Sequence, residues 1–197
     1  MGKIFCIMGK SASGKDTIYK VLLEKKELNL RPMVSYTTRP IREGEQAGVE
    51  YFFSNEDELK NFTKDNKLIE VREYHTVHGV WKYFTVDDGR TQIEDKDYIL
   101  IGTLESFLKL RQYYGKEVVV PIYIQVDDGL RLSRALARER QQEQPRYAEL
   151  CRRYLADDED FSSKKLMEAG VDHIFENHDF KENIGEVLDY IEKCQGE

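Results

Sequence analysis

Residues 9–17 read Gly-Lys-Ser-Ala-Ser-Gly-Lys-Asp-Thr, and no other stretch of this chain narrows its possible folds as much. An apolar run at 4–8 comes directly before, and residues 18–23, with the apolar spacing of a helix, follow. Two glycines with four residues between them, and a lysine directly after the second, make a phosphate-binding loop of the Walker A type. The physics is local. A strand ends, small residues let the backbone curl, and successive N–H groups point inward at an anion. The helix that begins there adds the positive end of its dipole. Lys15 supplies a mobile charge for the outer phosphates. The strand before and the helix after separate such a loop from a plain turn that carries an exposed lysine. One position departs from the pattern: Asp16 stands where Ser or Thr would offer magnesium a hydroxyl.

A chain of 197 residues supports one substantial core with room for smaller lobes, and 40% hydrophobic content excludes wholesale disorder. The net charge of -7 argues against a general nucleic-acid binder. It leaves room for a small anionic substrate, which needs only a local positive pocket. Cys6, Cys151 and Cys194 lack zinc-like spacing, and three is odd for a disulfide framework, so a reducing compartment is expected. His75, His78, His173 and His178 show no metal-like arrangement. No apolar run reaches about 18 residues, and the one near the start is too short for a signal segment. The expectation is a cytoplasmic protein without membrane partners.

Strand and helix alternate, with one interruption. Strands are expected at 3–8, 33–38, 49–53, 67–74, 81–86, 97–101, 117–126 and 173–175. Helices are expected at 15–26, from 56, and at 103–113, 127–142, 146–168 and 180–193. The continuous apolar run ending at 101 suits a buried parallel strand. Pro121 marks an edge or a point where pairing breaks. Residues 32–87 are mostly strand and turn, a small sheet-rich lobe with a turn at His78 and Gly79. The rest predicts an α/β fold with a parallel sheet covered on both faces.

Residues 35–53 read Ser-Tyr-Thr-Thr-Arg-Pro-Ile-Arg-Glu-Gly-Glu-Gln-Ala-Gly-Val-Glu-Tyr-Phe-Phe. Arg39 and Arg42 can fork around a phosphate or carboxylate, and the hydroxyls add donors. Glu45 can hold an arginine or accept from a base or sugar. A polar turn with solvated charges is the plain alternative. With this stretch, and the phosphate loop before it, the chain resembles the guanylate kinases. Their monophosphate lobe carries Ser-x-Thr-Thr-Arg-x-x-Arg-x-Gly-Glu-x-x-Gly-x-x-Tyr-x-Phe, which residues 35–53 match at every fixed position.

The resemblance implies a P-loop NTPase three-layer fold: a core of 1–31, 88–126 and 168–197, a GMP-binding lobe of 32–87, and a helical lid of 127–167. It implies transfer of the γ-phosphoryl of ATP to GMP with Mg2+. Gly9, Lys10, Ser11, Ala12, Ser13, Gly14, Lys15, Asp16 and Thr17 would bind ATP, with Asn177 near its adenine; Asp179 can equally make this turn a helix cap. Ser35, Arg39, Arg42 and Tyr51 would bind the GMP phosphate, with Glu45 in the same pocket. Glu70 resembles the acid that accepts from the guanine ring, with Glu73 the alternative. Tyr83 and Thr85 resemble the pair on phosphate and base, although extra residues precede them. Two departures stand out. The family's strand acids, which face the GMP site and the metal region, are missing from Ile101-Gly102-Thr103, and Asp16 replaces a small residue. Asp16 is therefore expected to give magnesium an anionic oxygen; stabilising the helix dipole is the alternative.

Arg131, Arg134 and Arg138 share a helix face, and Arg140, Arg146, Arg152 and Arg153 follow. A solvated face with Glu139, Glu143 and Glu149 as partners accounts for most of them. Arg138 resembles the family's lid arginine, and Arg152, or Arg153 beside it, the later one. Arginines arriving on lid closure would stabilise the transferring phosphoryl group. The alternatives are a P-loop kinase for another phosphorylated acceptor, such as a sugar phosphate, a non-catalytic module of the same shape, and a switch hydrolase. The intact Gly9, Gly14 and Lys15 weigh against the module.

Overall fold

The computed structural model describes residues 1–76 and 79–196. Along the chain these form β1 (Ile4–Met8), α1 (Lys15–Glu24), β2 (Arg31–Pro32), β3 (Tyr36–Thr37), β4 (Phe52–Phe53), α2 (Glu56–Lys64), β5 (Leu68–Thr76) and β6 (Gly79–Val86). There follow β7 (Tyr98–Ile101), α3 (Leu104–Tyr114), β8 (Val119–Gln125), α4 (Asp128–Arg140), α5 (Tyr147–Asp160), α6 (Ser163–Glu168), β9 (Ile174–Glu176) and α7 (Phe180–Gln195).

One sheet has the order β2-β7-β1-β8-β9, and every pairing in it is parallel. All five residues of β1 are fully buried, so the strand reads as a continuous apolar run. Alternate side chains serve opposite faces. Ile4, Cys6 and Met8 pack with Phe107 and Leu110 of α3, and Phe5 and Ile7 pack with Ile18 and Leu22 of α1 and Val187 and Ile191 of α7. The result is three layers, helix, sheet and helix, with two apolar cores. Truncating a side chain such as Ile7 to Ala in a core of this kind costs about 2–5 kcal/mol.

The second sheet, β4-β3-β6-β5, carries a smaller core of Tyr36, Leu59, Phe84 and Val86. It pairs β3 with β4 in parallel and β3 and β5 with β6 antiparallel. Asn55 caps α2 by accepting from the Asp57 and Glu58 amides, as polar residues do at helix starts.

The structure revises several expectations. The single strand at 33–38 is two: β2 joins the parallel sheet and β3 the lobe, with buried Met33 between them. The strand at 49–53 shrinks to β4. Pro121 does not lie on an edge strand, since β8 runs between β1 and β9. However, β9 pairs only with Tyr123–Gln125, so pairing on that side starts beyond the proline. The helix at 146–168 breaks at Phe161 and Ser162. The Phe161 side chain turns into the core there, and Ser162 adopts an extended backbone. Of the turn expected at His78 and Gly79, His78 lies outside the described residues.

Candidate active site

Polar groups gather at the C-terminal ends of the parallel strands, where open α/β sheets bind ligands. The phosphate loop follows β1, Thr103 follows β7, Asp127 follows β8 and Asn177 follows β9. Gly14 is the N-cap of α1 at φ 90°, a left-handed conformation that glycine adopts without strain. A side chain there would lie 2.8 Å from the Asn177 amide. Ala12 is also left-handed, at φ 64°, which for a residue with a Cβ costs about 1–2 kcal/mol. The surroundings therefore hold the loop in shape. Asn177 is buried, and its side-chain amide donates to the Ser13 carbonyl at 2.9 Å. Asp179, beyond it, caps α7 through the amides of Lys181 and Glu182.

Helices α4 and α5 grip the outer side of the loop. The Ser11 N–H donates to Asp157 at 2.7 Å, and the Lys10 ammonium lies 2.6 Å from Asp158 and 3.5 Å from Asp128. Arg131 is the hub of this knot. It donates to Asp128, Asp157 and Asp158 at 2.9–3.3 Å, and its guanidinium lies 4.0 Å from the centre of the Tyr154 ring. Burial works against the charged form of Asp128, yet Arg131 and Lys10 outweigh it and hold the carboxyl below its usual range. Arg131 is thus buried at 1% side-chain exposure and does not belong to a solvated face. Sequence reasoning missed it because two of its three carboxylate partners, Asp157 and Asp158, are supplied by α5, a full helix away.

Arg138 is exposed on α4 and shares a small cleft with Ser11, Glu139 and Arg153. Arg152 lies outside that cleft, 63% exposed and forked onto Glu149 at 2.7 and 2.8 Å. On the other side of Lys10 a cavity of about 740 Å³ opens, lined by Asp128, Phe161, Met167, Ile174, Glu176 and His178 among others. The break between α5 and α6 shapes its wall.

The lobe supplies a second cluster. Arg39, 2% exposed, forks onto Glu45 at 2.8 and 2.9 Å and donates to the Tyr83 hydroxyl at 3.1 Å. The Arg39 hydrogen bond, aided by the Arg42 amide, holds the Glu45 carboxyl below its usual range. The Tyr51 ring packs against both Arg39 and Tyr83. Deeper in, Ser35, Thr85 and Glu70 form a chain of contacts at 3.3 and 2.8 Å, and Arg72 forks onto Glu70. Six of the eight residues expected there, Ser35, Arg39, Glu45, Glu70, Tyr83 and Thr85, thus meet in two adjoining hydrogen-bonded groups. The Arg42 side chain is exposed. Glu73 is also exposed and pairs with Lys82 on the lobe's outside, so it is not interchangeable with Glu70.

The facing of β5 explains how an acid became buried. Simple alternation would turn Val71 inward; instead Val71 is 37% exposed and Glu70 is 5% exposed, after a register shift between Leu68 and Glu70. Such irregularities re-aim side chains. Glu70 and Arg72 lie close enough to Cys6 for their charges to act on its thiol, which is pushed up to about 12, chiefly by burial. The lobe cluster therefore adjoins the strand that feeds the phosphate loop. At the end of β7, Thr103 caps α3 in a reciprocal pairing with Ser106, so the position without the acid still has a structural job.

A family model described as guanylate kinase matches residues 1–194. Among curated relatives, a guanylate kinase of Caldanaerobacter subterraneus subsp. tengcongensis is 32% identical over 120 residues, and one of Bacillus subtilis is 33% identical over 122. Each alignment takes in 60% of this chain, but only 56% and 57% of the relative, little more than half its length. A solved guanylate kinase from Anaplasma phagocytophilum matches over 100% of this chain and 87% of its own, with TM-score 0.64 at 22% identity, a likeness of fold. With a family model running through nearly the whole sequence, the chain belongs to the guanylate kinase family.

Proposed function

We propose that this chain transfers the γ-phosphoryl group of ATP to GMP, giving ADP and GDP. The observation that carries the reading is the hydrogen-bonded lobe cluster of Arg39, Glu45, Tyr83, Ser35, Thr85 and Glu70, set beside the strand that leads into an intact phosphate loop. A cationic end and an acceptor end in one pocket suit a purine monophosphate. In this reading the parallel-sheet unit is the core, residues 32–87 are the GMP lobe and residues 127–167 the lid. The donor's phosphates lie on the amides of residues 9–17 under Lys15, and its base enters the cavity beside Lys10, next to the turn at Asn177.

Phosphoryl transfer asks little covalent chemistry of a protein and much positioning and charge neutralisation. Arg39, Arg42, Tyr51 and Tyr83 hold the acceptor phosphate. Arg39 leaves part of its fork with Glu45, which keeps the guanidinium oriented before substrate arrives. Arg138 and Arg153 approach the γ-phosphoryl from the lid and exclude water; their shared cleft with Ser11 favours Arg153 over Arg152 for the later position. Among the described residues no three His, Cys, Asp or Glu side chains are arranged to hold a metal. A lone carboxylate beside the loop still fits magnesium, which takes one or two carboxylates with substrate phosphates and keeps several waters. Asp16, 72% exposed and 3.6 Å from the Lys15 ammonium, would hold it. When bound, the ion offsets charge on the phosphate oxygens.

The test is ADP release measured with GMP, dGMP, AMP, CMP and UMP as acceptors. GMP should accelerate release well above the ATP-only background. No acceleration would overturn the reading.

A further inference from the structure

Two consecutive residues of the phosphate loop are tied to two consecutive residues of α5. The Ser11 N–H donates to Asp157 Oδ2 at 2.7 Å, and the Lys10 ammonium donates to Asp158 Oδ1 at 2.6 Å. Adjacent positions on a helix point about 100° apart around its axis. Two ties at such positions fix the rotation of α5 as well as its distance from the loop. Arg131 Nη1 donates to the same Asp157 oxygen at 3.3 Å and Nη2 to Asp158 at 2.9 Å, so α4 is fastened to the same pair. The helices sit close: the cleft they leave beside Ser11 has a volume of about 10 Å³, room for one water at most.

The α5 end of these ties carries an arginine. Arg153 lies one turn before Asp157 on the same helix face. It lines the cleft with Ser11 and Arg138. It is 45% exposed, and its Nε stands 3.7 Å from Glu149, a loose pairing along its own helix. The station of Arg153 is therefore set by the placement of α5 more than by this contact. Electrostatics does not favour the arrangement. Three carboxylates, Asp128, Asp157 and Asp158, face two cations, Lys10 and Arg131. The knot leaves a negative charge in excess beside a loop that receives a polyanion, which works against donor binding.

We infer, on the phosphoryl-transfer reading above, that Asp157 is a positioning residue that acts through Arg153. By accepting from the Ser11 N–H it seats α5 on the loop before nucleotide arrives. Arg153 is then already aimed at the transferring phosphoryl group. The α5 side of the lid is docked in advance and does not arrive with the donor.

The experiment joins steady-state transfer from ATP to GMP with amide hydrogen exchange. It uses the full chain, the variants Asp157→Ala, Asp157→Asn and Arg153→Met, and the double variant D157A/R153M. In nucleotide-free protein the Ser11 N–H should exchange at least about tenfold more slowly in the unaltered chain than in D157A. D157A should lower kcat by about tenfold or more, because small misplacements of a charge-stabilising group cost rate steeply. The KM for ATP should hold or fall, since a negative charge has left the loop's surroundings. Asparagine keeps an acceptor for Ser11, so D157N should recover most of kcat. In the R153M background D157A should add less than about a twofold loss, whereas a merely structural Asp157 gives losses that multiply. Should D157A not fold, Asp158→Ala cuts the Lys10 tie instead, at a side chain 38% exposed, and enters the same cycle. Losses that multiply, a kcat within about twofold of the unaltered value in folded D157A, or equal exchange at Ser11 overturn the role of Asp157. A full kcat in R153M removes Arg153 from the transfer and this proposal with it, while GMP-dependent ADP release stands. If GMP does not accelerate ADP release by the unaltered chain, the phosphoryl-transfer reading itself fails.

Discussion

Arg131→Met removes the cation from the knot that ties the phosphate loop to α4 and α5. The guanidinium makes four N–H···O bonds to Asp128, Asp157 and Asp158. Without it, three carboxylates face one another with Lys10 as their remaining neighbouring cation in the knot. Removing one partner from a buried ion pair costs about 3–5 kcal/mol. Asp128 and Asp158 are 53% and 38% exposed, so water screens part of the repulsion and draws the cost toward the lower end. Met fills most of the vacated apolar volume. The expected loss is about 3 kcal/mol, which for a chain of this size lowers Tm by about 6–12 °C. Urea unfolding and calorimetry read it directly.

The pH dependence distinguishes charge repulsion from lost packing. A carboxyl whose pKa is depressed on folding contributes stability above its unfolded pKa, and loses that contribution as pH falls through the folded one. Asp128 is depressed in this way. The gap between the original protein and R131M should therefore be full at pH 7 and should shrink as pH falls below about 4 and Asp128 takes up its proton. A loss under about 1 kcal/mol at neutral pH would refute the reasoning, because it lies well below the penalty for a broken buried pair. So would a gap that stays constant down to about pH 3.

Three further outcomes are expected. Lys15→Ala should cut turnover severely while GMP binding, measured by calorimetry, persists; retained activity would remove the loop from the mechanism. Asp16→Asn should raise the magnesium concentration needed for half-maximal rate, and an unchanged magnesium dependence would reduce Asp16 to a helix-terminal acid. Glu45 is held below its usual pKa chiefly by Arg39. Its contribution should therefore be present above about pH 4.5 and fade below it, so Glu45→Gln should flatten the acid limb of the stability curve. Superimposable acid limbs would show that the pair contributes nothing to stability.

What the sequence disclosed tracks how local the physics is. The phosphate loop depends on nine consecutive residues and two flanking elements, and its parts stand where the spacing put them. The five apolar residues of β1 are buried as a continuous run must be. Helix starts at Asn55, Thr103 and Asp179 rest on those residues' own side chains, which accept from backbone amides two or three positions on. Arg131 is different. Its spacing on α4 is that of a surface arginine, and only the return of α5 brings Asp157 and Asp158 to it. The break at Phe161 is equally invisible in a polar helical pattern, because the aromatic ring finds its apolar partner, Tyr123, on a distant strand.

Strand β5 carries the point furthest. The family resemblance placed Glu70 near a base, while the polar–apolar alternation of the strand by itself would turn Val71 inward and Glu70 outward. Neither disclosed that Glu70 would already be occupied by Arg72 and Thr85. The chemistry a carboxylate can perform depends on which acceptor positions remain open, and that is decided by neighbours two residues along and one strand across. A motif can name the acid; only the hydrogen bonds around it determine how many donors of a base it can receive.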